Sequence, residues 1–348
     1  DRLREMWPVM LRGMEHLRRM RDDSFKLGKD YPAYGLFQPS FGDGGIYGPE
    51  PEYTTPMNVI LGLSDAYRAG KRLKLPRYEE FGVFAQELMA RMRECIERDR
   101  GTTPEGIPYV PLSMAENESY KPQTGCATIA RVAFHGEFEP DDRIVTDLLR
   151  LIDACDDREG IPECTGWRSD QSIYTYSSVR FAQLLLQAGQ REKAADYLYA
   201  FANHASASRV WREEQPVRET HSAEICGDMP HNWASVEFIR LVRNLVVLET
   251  FTGVELLPGL PEEWLPRAGD SLVLEKTPTR FGKLSLELSV RGRGGYLLSV
   301  AREDGNQQPQ YLRLHWAGKA VLDGGELEKS NGKYLLPLEE KQVCIELF

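Results

Sequence analysis

Four times along this chain an amphipathic helical stretch gives way to a long polar loop, and a second helical stretch opens straight out of that loop. The loops cover 42–55, 106–124, 160–174 and 211–232, each rich in Gly, Pro, aromatic residues and carboxylates. Helical hairpins whose long loops fall at the same point of the repeat gather those loops on one face. Chemistry is expected on that face.

The helical period of 3.6 runs through 1–21, 57–71, 78–98, 125–134, 141–154, 173–188, 191–203 and 233–250, which predicts eight helices in four pairs. Thr55-Pro56, Pro140 ahead of Asp141, and Asn232 mark helix starts. The pattern changes across the Pro-punctuated segment from Pro258 to Pro266. Beyond it the period switches to two, cleanest from Lys283 to Val290 and repeated at 296–300, 311–316 and 343–348 with Gly and Asn turns between. The chain therefore reads as mainly α, with hairpins over 1–256 and a small antiparallel β-sandwich over 257–348. Few polar residues converge in the sandwich, so it is assigned to support the helical part.

Composition narrows the ligand. Charged residues make up 28% of the chain and hydrophobic ones 41%, ordinary for a globular protein, and the net charge of −10 argues against a nucleic-acid backbone as partner. A neutral, sugar-like ligand fits better. No apolar run reaches the roughly 18 residues of a membrane helix, so no membrane is expected; no basic-then-apolar leader is visible either, but a leader would go with a missing upstream part, so the compartment is left open with a cytoplasmic one slightly favoured. The sequence opens on Asp1 already inside a helical pattern, which reads as the later part of a longer polypeptide. Cys95, Cys126, Cys155, Cys164, Cys226 and Cys344 are scattered without metal-ligand spacing and are expected to be free thiols. Phosphate-loop, dinucleotide, zinc-protease and serine-elbow motifs are all missing from the sequence.

Hairpins with long loops on one side, followed by a Pro-Gly-Leu-Pro crossing into a β-sandwich, resemble the six-hairpin α/α-toroid glycosidases, among them glucoamylases, trehalases and α-L-rhamnosidases. The stretch from Trp211 to Leu265 carries most of the likeness. Glu213-Glu214-Gln215 resembles the Glu-Gln of glucoamylases, and Asn232-Trp233-Ala234-Ser235 their Trp-Ser/Ala helix start. Tyr34-Gly35-Leu36 through Asp43-Gly44-Gly45 to Glu52-Tyr53-Thr54-Thr55 is similar to the third-hairpin loop that holds the acid in several of these families, and Thr277 to Leu284 to the opening of the domain after the rhamnosidase barrel. The resemblance implies an α/α-hairpin toroid catalytic domain. A full toroid has six hairpins and four are counted here, so the barrel is incomplete unless an upstream part of the polypeptide or another subunit closes it.

Hydrolysis of a glycosidic bond needs a carboxylic acid at the leaving oxygen and a carboxylate opposite, about 6.5–9.5 Å apart in the inverting case. For the acid the candidates are Asp43, set among Gly42, Gly44 and Gly45, and Glu52, just ahead of a helix start. An Asx-turn role competes for Asp43. For the base the candidates are Glu214 and Glu213, which as neighbours in an extended segment point to opposite sides. Glu219, Glu224 and Asp228 stand in reserve. Sugar rings present apolar faces with a polar rim, so aromatic platforms beside amides, carboxylates and Arg are expected as contacts: Trp167, Arg168, Asp170, Tyr174, Trp211, His221, His231 and Trp233. Core packing is the competing role for each aromatic.

His221 and His231 lie ten apart with Asp228 between, a spacing that matches no ligand rule, so neither metal nor cofactor is expected. The reading is an inverting glycoside hydrolase acting on a carbohydrate substrate. Phosphorolysis, with Arg212, Arg218 and His221 as the basic cluster, and a noncatalytic sugar-binding or scaffold subunit are the alternatives.

Overall fold

The computed structural model describes residues 2–41, 49–115, 121–155, 160–165, 172–216, 227–292, 294–303, 305 and 307–348. These fall into two compact units, one of residues 1–184 with 211–231, the other of residues 185–210 with 232–348.

The first unit holds α1 (Arg2–Ser24), α2 (Thr54–Leu73), α3 (Tyr78–Asp99), α4 (Cys126–Phe134), α5 (Arg143–Cys155) and most of α6 (Thr175–Gln187). α2, α3 and α5 each present an apolar stripe, whereas α6 is buried on every side from Thr175 to Leu186. On α3 the buried residues are Phe81, Phe84, Ala85, Leu88, Met92, Cys95 and Ile96, recurring every three to four positions as one face of a helix must. The α2–α3 hairpin closes over α1, where the Trp7 indole N–H donates to the Pro76 carbonyl at 2.9 Å and its ring lies 5.0 Å from Phe81. A Cβ at Gly70 would meet Tyr78 Cβ at 2.5 Å and the Trp7 ring at 2.7 Å. Gly70→Leu is therefore expected to cost on the order of 1–3 kcal/mol by overpacking, read as a lowered midpoint in urea denaturation.

Short strand pairs tie the loops of this unit: β1 (Ser40–Phe41) with β2 (Pro49–Glu50), β3 (Gly101–Thr102) with β4 (Pro108–Tyr109), and β5 (Ser172–Tyr174) with β6 (Glu214–Pro216).

The second unit contains α7 (Arg191–Asn203) and α8 (Asn232–Val246), then β7 (Val247–Glu249) and β8 (Gly253–Leu256). The expected helix to residue 250 stops four residues early. Val247-Leu248-Glu249 pairs with β8 instead, a run of β-branched and apolar residues that tertiary pairing pulls into a strand. After the Pro-rich crossing come β9 (Ser271–Thr279), β10 (Gly282–Arg291), β11 (Gly295–Arg302), β12 (Tyr311–Leu314), β13 (Ala320–Leu322), β14 (Gly325–Glu326), β15 (Lys329–Ser330), β16 (Lys333–Leu335) and β17 (Gln342–Leu347).

They form a six-stranded sheet ordered β14-β13-β17-β11-β10-β9 and a five-stranded sheet ordered β15-β16-β12-β8-β7. All pairings are antiparallel except β8 with β12, which run parallel. Leu284, Leu286 and Leu288 of β10 alternate inward, and with Leu298, Val300, Leu312, Leu314, Val343, Ile345 and Leu347 they make one apolar cluster shared by both sheets. Among the described residues no helix is long and apolar enough to cross a membrane.

Candidate functional site

The β5–β6 pair organises the carboxylate-bearing loops. Tyr174 stands opposite Glu214 in the register, and the Thr175 N–H donates to the Glu213 carbonyl at 3.0 Å. The two glutamates differ in burial: Glu214, the first residue of β6, is 0% exposed and accepts a 2.7 Å hydrogen bond from the Ser172 hydroxyl, whereas Glu213, at the bend ahead of the strand, keeps a partly exposed side chain.

A second backbone tie brings residues 228–231 to the same corner. The Glu213 N–H donates to the Asp228 carbonyl at 3.1 Å, and the His231 N–H donates to the Trp211 carbonyl at 2.8 Å. The Arg212 guanidinium caps this return by donating from Nη1 to the Gly227 carbonyl at 3.2 Å.

The side chains follow the backbone. His231 Nδ1 lies 2.7 Å from Asp228 Oδ1. That hydrogen bond, with the imidazole and Arg212 charges, holds the exposed Asp228 carboxyl below the usual carboxylate range. The His231 ring stacks on Tyr176 at 5.3 Å with 24° between planes, and Tyr176 hydrogen-bonds through its hydroxyl to that of Tyr174. Arg180 lies over the other ring of this stack, 5.5 Å from the Tyr176 centroid. Trp211 is buried alongside in the same unit. One donor atom each from Glu213, Asp228 and His231 lies within 4.8 Å of the other two, the arrangement among the described residues that could hold a metal ion.

Sequence reasoning had Asp228 only in reserve and noted it between His221 and His231 at a spacing that matches no ligand rule. The useful signal was the three-residue spacing of Asp228 and His231; Glu213 joins them only because the chain folds back on itself.

The remaining candidates divide in place. Glu52 is buried ahead of α2, in a bridge with Ser113 and among Leu36, Phe37 and Met114. Tyr174 is buried on β5. Trp233 lies on α8 in the second unit and is 54% exposed. Asp43, Trp167, Arg168, Asp170 and His221 lie outside the described residues. A cavity of about 490 Å³ in the second unit, lined by Asp196, Tyr199, Glu262, His315 and Trp316 among others, takes in none of the candidates.

No family model matches the sequence, and no curated protein matches it. Solved structures do match. One is a GH127 β-L-arabinofuranosidase from Geobacillus stearothermophilus T6, 11% identical, with a TM-score of 0.41 over 83% of this chain and 53% of that one. Another is a glycoside hydrolase, 12% identical, with a TM-score of 0.35 over 65% of this chain and 45% of that one. The chain spans about half the length of these structures.

Proposed function

We propose that the chain carries carboxylates of a glycoside hydrolase, with its helical hairpins belonging to an α/α toroid and its two sheets forming a supporting β-sandwich. The observation that supports this reading is the corner at β5–β6, where two neighbouring glutamates on one extended segment sit among Tyr174, Tyr176, Trp211 and His231. Aromatic rings beside carboxylates are what a sugar's apolar face and hydroxyl rim require.

In this reading Glu213 and Glu214 supply the base side, and the acid comes from Glu52 or Asp43 on a different hairpin loop. Inversion at the anomeric centre requires the two sides to stand about 6.5–9.5 Å apart, which leaves room for an attacking water. No cofactor takes part in the proton transfers.

The test is turnover of a panel of aryl glycosides and oligosaccharides by the protein and by Glu213→Gln, Glu214→Gln, Glu52→Gln and Asp43→Asn. Loss of one acid or base is expected to lower kcat by about 10²–10⁴-fold with folding intact by circular dichroism. NMR of the first product should show the inverted anomer. Activity that all four variants retain, or a protein inactive across the panel, sinks the assignment.

A further inference from the structure

Glu213, Asp228 and His231 point to a site that the sequence spacing does not suggest. Three features of the corner argue that it is built rather than incidental. First, the main chain sets the positions: the Glu213–Asp228 and Trp211–His231 backbone hydrogen bonds, at 3.1 and 2.8 Å, lock the two segments that carry all three side chains. Second, Gly227 has φ of +83°, and a Cβ there would lie 2.2 Å from Glu213 Oε2 and 2.3 Å from its Cβ. The Glu213 side chain is packed against bare backbone that no other residue would leave open, and this holds its carboxylate toward Asp228 and His231. Third, the His231 ring stacks on Tyr176, which sets the plane in which its nitrogens lie, and Nδ1 is turned to Asp228.

Two carboxylates that approach within 4.8 Å repel each other, and a cation bound between them would relieve that repulsion; among the described residues the Arg212 guanidinium, held on the Gly227 carbonyl, and the imidazole offset part of it. We propose that Glu213, Asp228 and His231 form a three-ligand site for a divalent first-row transition cation, of which Zn²⁺ and Mn²⁺ are the probes.

One imidazole with two carboxylates suits this class; Ca²⁺ wants six to eight oxygens, and a soft ion such as Cu(I) wants thiolates. Ligand bonds of about 2.0–2.2 Å put donor atoms roughly 3.3–3.5 Å apart, so the Asp228–His231 pair, hydrogen-bonded at 2.7 Å, must open as the cation enters. The Asp228 side chain, 76% exposed, has the rotamer freedom to do so. Three protein ligands leave coordination positions open, where a water or a ligand hydroxyl is held. Binding does not depend on the hydrolase reading, but the consequence for it does: with the cation in place Glu213 is a ligand, and the base role passes to Glu214.

The test is calorimetric titration of the chelator-stripped, untagged chain with Zn²⁺ and separately with Mn²⁺, repeated on Asp228→Asn, His231→Gln and Glu213→Gln. One saturable equivalent is expected, with affinity at least tenfold weaker in each variant. Asp228 is exposed, so Asp228→Asn reports on the ligand set even if His231→Gln disturbs the fold. Unsaturable binding, or binding that Asp228→Asn leaves unchanged, overturns the site. Cation binding without glycoside turnover would sink the hydrolase reading alone, and turnover by a protein that binds no cation would sink this site alone.

Discussion

Arg100→Met is expected to remove about 3–5 kcal/mol of stability, because it strands a buried carboxylate. Arg100 follows the last turn of α3 and reaches Asp147 on the inner face of α5, where its Nη1 donates to the Asp147 carboxylate; the two side chains are only 9% and 7% exposed. The other cation at Asp147 is Arg143, whose Nε is 3.7 Å away on a side chain 64% exposed, and solvent screens that contact. Asp147 otherwise occupies a position in the apolar stripe of α5 between Ile144 and Leu148. The loss comes from the unpaired charge more than from the pair's own worth, so Arg100→Met with Asp147→Leu should recover most of it. Urea denaturation of the parent, both single variants and the double decides the matter. A single variant within about 0.5 kcal/mol of the parent would show that the pair carries no such weight.

The second unit holds its own charged hub, and there the expected effect depends on pH. Glu255 of β8 is buried, accepts from Arg313 at 3.3 Å and from Lys333 at 3.4 Å, and lies 2.6 Å from His315 Nε2. Burial pushes its carboxyl up, but the His315 hydrogen bond and the Lys333 and Arg313 charges outweigh that, and the net displacement is downward. A carboxyl depressed in the folded state contributes stability that is complete above its unfolded value of about 4.3 and is lost as pH falls through the lower folded value. Glu255→Gln should therefore cost on the order of 2 kcal/mol at pH 7, and the gap between variant and parent should close as the pH is lowered below about 4. Thermal denaturation across that range reads both. A gap that stays constant from pH 7 to pH 3 would mean that the carboxylate charge is not the source.

These two charged contacts also show what a sequence exposes and what it hides. The helix over residues 191–203 and the strand around Lys283 to Val290 were legible because each is an uninterrupted period, 3.6 in one and two in the other. The end of α8 was not, since Val247 and Leu248 continue a helical stripe as well as they start a strand, and only pairing with β8 decides. The different burial of Glu213 and Glu214 was legible only as a property of neighbours in an extended segment, and the structure starts the strand at Glu214. Their surroundings were not legible: Asp228 and His231 reach Glu213 through a return of the backbone that no local pattern encodes. Asp147 and Glu255 read as ordinary acidic residues of a helix and a strand, because burial against a distant Arg or Lys leaves no mark on spacing.

The passage from α8 into β7 without an intervening residue has a bearing on how such a chain could have been assembled. β7 and β8 precede the Pro-rich crossing, yet they supply one edge and the parallel partner of the five-stranded sheet. Cutting at the crossing would strip β12 of one of its two neighbours, β8, and bare a row of unsatisfied backbone donors and acceptors. The sheets are thus no interchangeable cassette. Recombination at the sequence boundary between helices and strands would yield two sticky fragments, so inheritance of this unit has to carry α8 along with it.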